Sequence, residues 1–229
     1  MPKATKTFLP AKENSLFLKV FGTWVQWMFK LRFHRVDIQQ EYRPVDDRVT
    51  LYYGNHTSWW DALIPLLLNQ TRLKQQARAM MDLEQVQKHP FFPLIGVFSV
   101  DLTEPRGAIR SLRYALESFQ RPRASLYLYP EGTLHHPLSD PLIHPFKPGM
   151  EWIVRQAYDE GIALDVVPLT IHMHTMKSQR QHCVIHVGPA LEAPETLSTK
   201  EFEETLRRQL VTDIAARAVN RAVGDTFSK

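Results

Sequence analysis

A single cysteine, Cys183, occurs in the 229 residues. One thiol cannot close an internal disulfide, and no Cys-x-x-Cys pair is present for zinc or redox work. The composition suits a reducing compartment. No run of about 20 uninterrupted apolar residues occurs, so no ordinary transmembrane helix is expected. Residues 1–14 hold lysines but no small-residue cleavage site behind an apolar core, so no signal peptide is read. The chain also lacks a Gly-x-Ser-x-Gly elbow, a phosphate loop ending in Gly-Lys-Ser/Thr, and His-Glu-x-x-His. Serine hydrolases, nucleotide hydrolases and zinc peptidases are thereby disfavoured.

What is present points to one compact domain. Hydrophobic residues make up 44% and charged residues 23%, which excludes disorder as the main state. The net charge of +4 and pI near 9.2 favour anionic partners: nucleic acid, anionic lipid or a phosphorylated thioester carrier.

Residues 1–14 read as a loose tail. Residues 15–33 place Phe17, Phe21, Trp24 and Met28 at helical spacing beside Lys19, Lys30 and Arg32. Rings at headgroup level with snorkelling cations describe an interfacial membrane helix. Packing on the domain's own core is the alternative. Residues 1–34 are therefore taken as a tail and amphipathic membrane-contacting helix, and 35–229 as the main domain. Beyond it, strands are expected at 48–53, 76–81, 96–101, 124–129, 163–172 and 183–187. Helices are expected at 59–69, 82–89, 106–119, 149–159 and 199–223, with a long loop at 130–148. Alternation of this kind predicts an α/β fold, a mixed sheet flanked by helices. Loops as long as 130–148 are usually functional.

The segment from Gly54 to Asp61, Gly-Asn-His-Thr-Ser-Trp-Trp-Asp, directly follows the strand at 48–53. Ligand sites of open α/β sheets gather beyond the carboxyl ends of strands. Ser58 can cap the next helix, which puts Asp61 in its first turn. From there its carboxylate can accept a hydrogen bond from His56 and leave the other ring nitrogen as a base. The same Ser-x-x-Asp spacing also fits a capping box with no catalytic role.

Asn55-His56-x-x-x-x-Asp61 resembles the first motif of the glycerolipid acyltransferase family of PlsC type, which includes lysophosphatidic acid acyltransferases. Later segments resemble its further motifs in order: residues 96–101 the second, Tyr129-Pro130-Glu131-Gly132-Thr133 the third, Phe146-Lys147-Pro148-Gly149 the element after it, and Val167-Pro168-Leu169 the fourth. The resemblance implies transfer of a fatty acyl group from acyl-CoA or acyl carrier protein to a lipid hydroxyl, with a lysophospholipid such as 1-acylglycerol-3-phosphate as acceptor. His56 would be the general base and Asp61 its orienting partner. Glu131, Gly132, Thr133 and Lys147 would shape the acceptor site, and amides near Ser58 could hold the oxyanion. No metal and no cofactor beyond the thioester co-substrate is implied. Cys183 lies far along the chain from the motifs, and no acyl-enzyme is needed. Aromatics such as Trp59, Trp60, Phe91, Phe92 and Phe98 could wall the acyl chain or be ordinary core. The expected location is the cytoplasmic face of an inner membrane.

Two positions depart from the family pattern. Leu102 follows Asp101, and Leu134 follows Thr133, where the family usually has arginines associated with the acceptor's phosphate. Leucine cannot make the bidentate phosphate contact. Arg106 or Lys147 could compensate, or the acceptor could be a glycolipid, a carotenoid glycoside or a lyso-aminolipid. Two other readings are weaker. The histidines at 135, 136, 144, 172, 174, 182 and 186 hint at a metal, but no carboxylate or cysteine sits at zinc-like spacing. Arg106, Arg110 and Arg113 share a helical face, but no nucleic-acid motif accompanies them, so no nucleic-acid partner is expected.

Overall fold

The computed structural model describes residues 8–136, 141–175 and 179–226, with side chains described to residue 216. Strands β1 (Arg35–Gln40), β2 (Val49–Gly54), β3 (Gln76–Asp82), β4 (Val97–Val100), β5 (Ala124–Leu128), β6 (Leu164–His174) and β7 (His182–Val187) alternate with helices. The helices are α1 (Ser15–Arg32), α2 (Ile64–Leu68), α3 (Leu83–Lys88), α4 (Pro105–Glu117), α5 (Gly149–Asp159) and α6 (Thr199–Thr226). The strands form one sheet in the order β1-β7-β6-β2-β5-β3-β4. Only the β6–β7 pair is antiparallel, so the sheet is mixed, as expected.

Both faces of the sheet are covered, which explains why β5, Ala-Ser-Leu-Tyr-Leu, is buried at every position instead of alternating. Tyr52, Tyr127, Val97 and Val167 point to one face, where they meet Val25, Phe29 and Phe33 near α1, together with α2 and Phe92. Leu51, Tyr53, Leu126 and Phe98 point to the other face, under α4, α5 and α6. Phe92 and Phe98 are therefore ordinary core on opposite faces, not a shared acyl wall. At the C-terminal end, Asp213 of α6 takes His186 Nδ1 at 2.8 Å while Glu41 takes Nε2 at 2.7 Å. The hydrogen bond that His186 gives to Asp213 is the largest cause of the raised His186 pKa, and Glu41 adds to it.

Three features depart from expectation. First, β1 was not anticipated. It is a polar edge strand whose parallel register with β7 is set far away in sequence. Second, residues 8–14 are not a loose tail. Ser99 donates its N–H to the Leu9 carbonyl, and Lys12 bonds Pro93 O, so this segment covers the open edge of β4. Third, the helix expected at 59–69 is broken into a tight 3-10 turn (Trp59–Leu63), the short α2, and a π turn (Asn69–Leu73). Pro65 is the physical cause of the first break, because it has no N–H to return to the Asp61 carbonyl four residues earlier.

Helix α1 packs Gly22, Val25 and Phe29 inward, and Asn14 caps it by accepting from Phe17 N at 2.9 Å. Phe17, Phe21 and Met28 also lean on the core. The helical face read from the sequence is thus mainly the core-packing one. A second apolar stripe, Leu16, Val20, Trp24, Trp27 and Leu31, lies on the outer side at 46–71% exposure. No helix among the described residues is long and apolar enough to cross a membrane.

Candidate active site

The loop that leaves β2 carries His56, and the loop that leaves β5 carries the second half of the site. β2 and β5 are parallel neighbours, with Tyr53 level with Leu128, so both loops emerge side by side at one end of the sheet. Gly54 permits the closeness: a side chain there would meet the Leu169 carbonyl at 2.7 Å. Asn55 fastens the turn to β6, donating to Ile171 O at 2.7 Å and accepting from Ile171 N at 2.8 Å.

Asp61 is fully buried, and one oxygen carries its whole load. Its Oδ2 accepts from Thr57 N at 2.7 Å and Ser58 N at 2.8 Å, and lies 3.2 Å from His56 Nδ1. Capping and histidine support are therefore one arrangement. The capping box is formed, with Ser58 Oγ accepting from Trp60 N at 3.2 Å. Two amides have settled this carboxylate as an acceptor, so His56 Nδ1 is the donor, and in the neutral ring the lone pair then lies on Nε2. No described residue bonds Nε2, and the side chain of His56 is 20% exposed. Asp61 Oδ1 is buried with no hydrogen-bond partner among the described residues.

Tyr129 completes the support, and it was not singled out from the sequence although it opens the third motif. Its ring stacks on His56 at 4.6 Å and 18°, and its hydroxyl donates to Asp61 O at 2.5 Å. This carbonyl is the one that Pro65 leaves without an α-helical donor. Burial pushes the Tyr129 pKa well above its ordinary value, and the Asp61 charge adds to the effect, so it stays a neutral donor.

Glu131 is buried and braces both loops. Its Oε1 accepts from His56 N at 2.9 Å and its Oε2 from His144 N at 2.8 Å. Burial raises its pKa, and the amides of His144 and His56 pull it back in part. With one backbone bond on each oxygen, Glu131 ties the His56 loop to the His144 loop. Gly132 adopts φ +74°, a region that favours glycine, and a side chain there would run into the Lys147 ammonium. Thr133 is exposed and bonds His135 Nε2 at 3.1 Å. His135 donates its N–H to His56 O at 3.0 Å and its ring stacks on His144 at 3.5 Å. Burial is the main cause of the lowered His135 pKa, followed by the nearby His144 and His56. Neither His135 nor His144 was expected at the site, because sequence alone only grouped them as possible metal ligands.

The structure thus brings His56, Asp61, Glu131, Gly132, Thr133 and Lys147 together. It places Arg106 elsewhere, in a shallow recess with Phe8, Ile109, Arg110, Arg113, Tyr114 and Glu117. Of the amides near Ser58, those of Thr57, Ser58 and Trp60 serve the cap and that of Asp61 bonds Ser58 O, which leaves that of Trp59 uncommitted among the described residues. Cys183 is buried, and burial pushes its thiol up to about 12, with the Asp61 charge as a second cause. Four other histidines form a row, His172 stacked on His174, His174 stacked on His182, and His182 tilted against His34. Among the described residues no group of three or more histidines, cysteines and carboxylates is arranged to hold a metal ion.

A mixed sheet with a supported histidine at its carboxyl end fits base-assisted group transfer, and the comparisons give the class. The model of the Acyltransferase family matches residues 32–172, more than half of the chain, and the chain belongs to that family. Its fold is similar to the crystal structure of the 1-acyl-sn-glycerophosphate (LPA) acyltransferase, PlsC, from Thermotoga maritima. The TM-score is 0.61 at 20% identity, covering 86% of this chain and 80% of that one. No curated protein matches the chain.

Proposed function

We propose that this protein transfers a fatty acyl group from an acyl thioester, acyl-CoA or acyl carrier protein, to the hydroxyl of a lipid. The observation that carries this reading is the division of His56, with Nδ1 committed to Asp61 and Nε2 left free. Nε2 takes the proton of the acceptor hydroxyl as its oxygen attacks the thioester carbonyl. Asp61 stabilises the imidazolium. The tetrahedral intermediate collapses, the carbon–sulfur bond breaks, and the leaving thiolate takes the proton from Nε2. Ester and free thiol result, with no acyl-enzyme. Lys147, beside Gly132, is the cation that this loop offers to the oxyanion or to an acceptor phosphate.

A cavity of about 400 Å³ lies between α1, α2, β3 and the start of β4; Glu13, Gln75, Arg78 and Arg121 line its part at the amino end of the sheet, and we assign its apolar part to the acyl chain. Leu18, Ala62, Leu66, Ala77, Ala79 and Val97 supply its apolar wall, and Ala62 adjoins Asp61. The acceptor reaches the dyad from a membrane surface under α1. Near the C-terminal end of that helix, Trp60 packs on Phe29 and Phe33 and touches the exposed Trp59, three residues from His56. Apolar rings therefore extend from the outer stripe of α1 towards the site. We place this surface at the cytoplasmic face of an inner membrane.

Thiol release from a long-chain acyl-CoA tests the reaction, with lysophosphatidic acid, other lysolipids and glycolipids offered separately. Release that depends on one acceptor is expected. A clear preference for lysophosphatidic acid would assign the phosphate to Lys147, since Leu102 and Leu134 cannot bind it. A preference for a neutral glycolipid would assign the two exposed leucines to the acceptor's surroundings. Thiol release that no lipid acceptor accelerates, from acyl-CoA or acyl carrier protein, would refute the proposal.

Membrane contact has its own test. Replacing Trp24 and Trp27 by serine leaves the inward face of α1 intact. Binding to vesicles of anionic phospholipid is expected to weaken at least tenfold, or about 1.4 kcal/mol, because two large rings no longer enter the interface. Sedimentation with vesicles reads this directly, and unchanged partition would remove α1 as the contact.

A further inference from the structure

The outward face of α4 carries Arg106, Arg110 and Arg113 at helical spacing, all exposed. None is ion-paired with a described residue. Several arginines elsewhere find carboxylates, Arg48 with Asp165, Arg78 and Arg121 with Glu13, Arg155 with Glu151. Arg32, Arg43 and Arg72 are, like the three of α4, in no ion pair among the described residues, but only on α4 do three such arginines share one helical face. Like charges three and four residues apart on a helix repel, so the α4 arrangement suits an anionic partner. Its centre is apolar. Ile109, 49% exposed, sits with Phe8 and Tyr114 in the recess that the three arginines line together with one carboxylate, Glu117.

Two anionic partners come into question, a bilayer and a protein. Helix α1, with its exposed stripe, covers one face of the sheet, and α4 covers the opposite face. A flat bilayer lying under α1 leaves the α4 arginines turned towards water. The position of α4 also matters. It starts at Pro105, just past the carboxyl end of β4, and β4, β3, β5 and β2 are parallel. Arg106 and His56 therefore stand at the same end of the sheet, three strand spacings or about 14 Å apart across it. That separation suits a substrate delivered on a flexible arm.

We propose that the α4 face docks an acidic acyl carrier protein, which passes its thioester arm across the ends of β3 and β5 to His56. This rests on the acyl-transfer reading and deepens it by naming the donor's docking surface. Charge complementarity supplies recognition and encounter rate, and Ile109 supplies the dry centre of the contact. The transfer itself is unchanged: the carrier's thioester carbon–sulfur bond breaks, and its thiol leaves with the proton from Nε2.

The test compares the native protein with a double variant, Arg110→Glu and Arg113→Glu, using a palmitoyl carrier protein and palmitoyl-CoA in turn. With the carrier donor, kcat/KM is expected to fall roughly tenfold or more, through KM and in a salt-dependent way. With palmitoyl-CoA it should change less than about twofold, and binding to anionic vesicles should not change, because the charges steer only the carrier. Arg110→Lys with Arg113→Lys should keep most of the carrier activity. Equal losses with both donors would overturn the proposal in favour of the nucleotide phosphates of coenzyme A. Loss of vesicle binding would overturn it in favour of a membrane, and no loss with the carrier would overturn it outright. A direct titration with the acidic carrier, free of any turnover, separates this proposal from the acyl-transfer reading. Binding that the charge reversal abolishes supports docking even where no acceptor is acylated, and absence of binding to the native protein overturns it.

Discussion

Replacing His56 by alanine is expected to lower kcat for acyl transfer by roughly 10²–10⁴, the usual contribution of a positioned base, with little change in the KM for the thioester. The surroundings make this a clean experiment. The backbone of residue 56 is held independently of its ring, by Glu131 on the N–H and by His135 on the carbonyl. Asp61 retains two amide donors when the imidazole is gone. The variant therefore loses a stacked ring and one hydrogen bond, and its thermal midpoint should stay near that of the native protein. Acceptor-dependent thiol release before and after substitution, beside a melting curve, reads both quantities. A folded alanine variant that kept more than about a tenth of the native rate would put the base elsewhere, since a positioned base is worth far more than that.

The sheet was legible in the sequence wherever a strand is central. Strands β2, β5 and β6 are short apolar runs bounded by turn residues, and their positions agree with expectation within two residues. Strand β1 was not legible, because Arg-Val-Asp-Ile-Gln-Gln is polar and its pairing with β7 is fixed by a contact about 147 positions away. The broken helix after His56 was misread for a different reason. Pro65 was visible, but its consequence depends on Tyr129 being at hand to take the Asp61 carbonyl, and that is a tertiary fact.

The site divides in the same way. Spacing alone left Asp61 open between cap and dyad, and the structure shows that one carboxylate oxygen is placed to serve both. Glu131 reads from the sequence as an acceptor-pocket residue, yet its two oxygens hold the amides of His56 and His144. Arg106 reads as a substitute for the missing phosphate arginines, yet it opens the exposed cationic face of α4. In α1 the period of 3.6 was evident, but a helix apolar on two sides does not announce which side turns inward. The exposed stripe from Leu16 to Leu31 appears only once Val25 and Phe29 are seen to be buried.

Asp61 separates charge from architecture, and two substitutions should show it. In Asp61→Asn the amide oxygen can take the place of Oδ2 and keep the bonds from Thr57 N, Ser58 N and His56 Nδ1. The new amide nitrogen then occupies the place of Oδ1, which already has no hydrogen-bond partner among the described residues. The cap survives and the negative charge that stabilises the imidazolium does not. The expected loss in kcat is of order 10²–10⁴, comparable to that for the orienting aspartate of a Ser-His-Asp triad, with a modest fall in stability from the buried unpaired N–H group. Asp61→Ala removes both functions. It orphans the amides of Thr57 and Ser58, costs about 1–2 kcal/mol for the lost cap, and lowers kcat at least as far as asparagine does. The comparison of the two variants, by melting curve and by acceptor-dependent thiol release, distinguishes the roles. A well-folded asparagine variant with the full native rate would reduce Asp61 to a helix cap. Loss of activity at nearly native stability would show that the carboxylate's charge is used in the reaction, through His56.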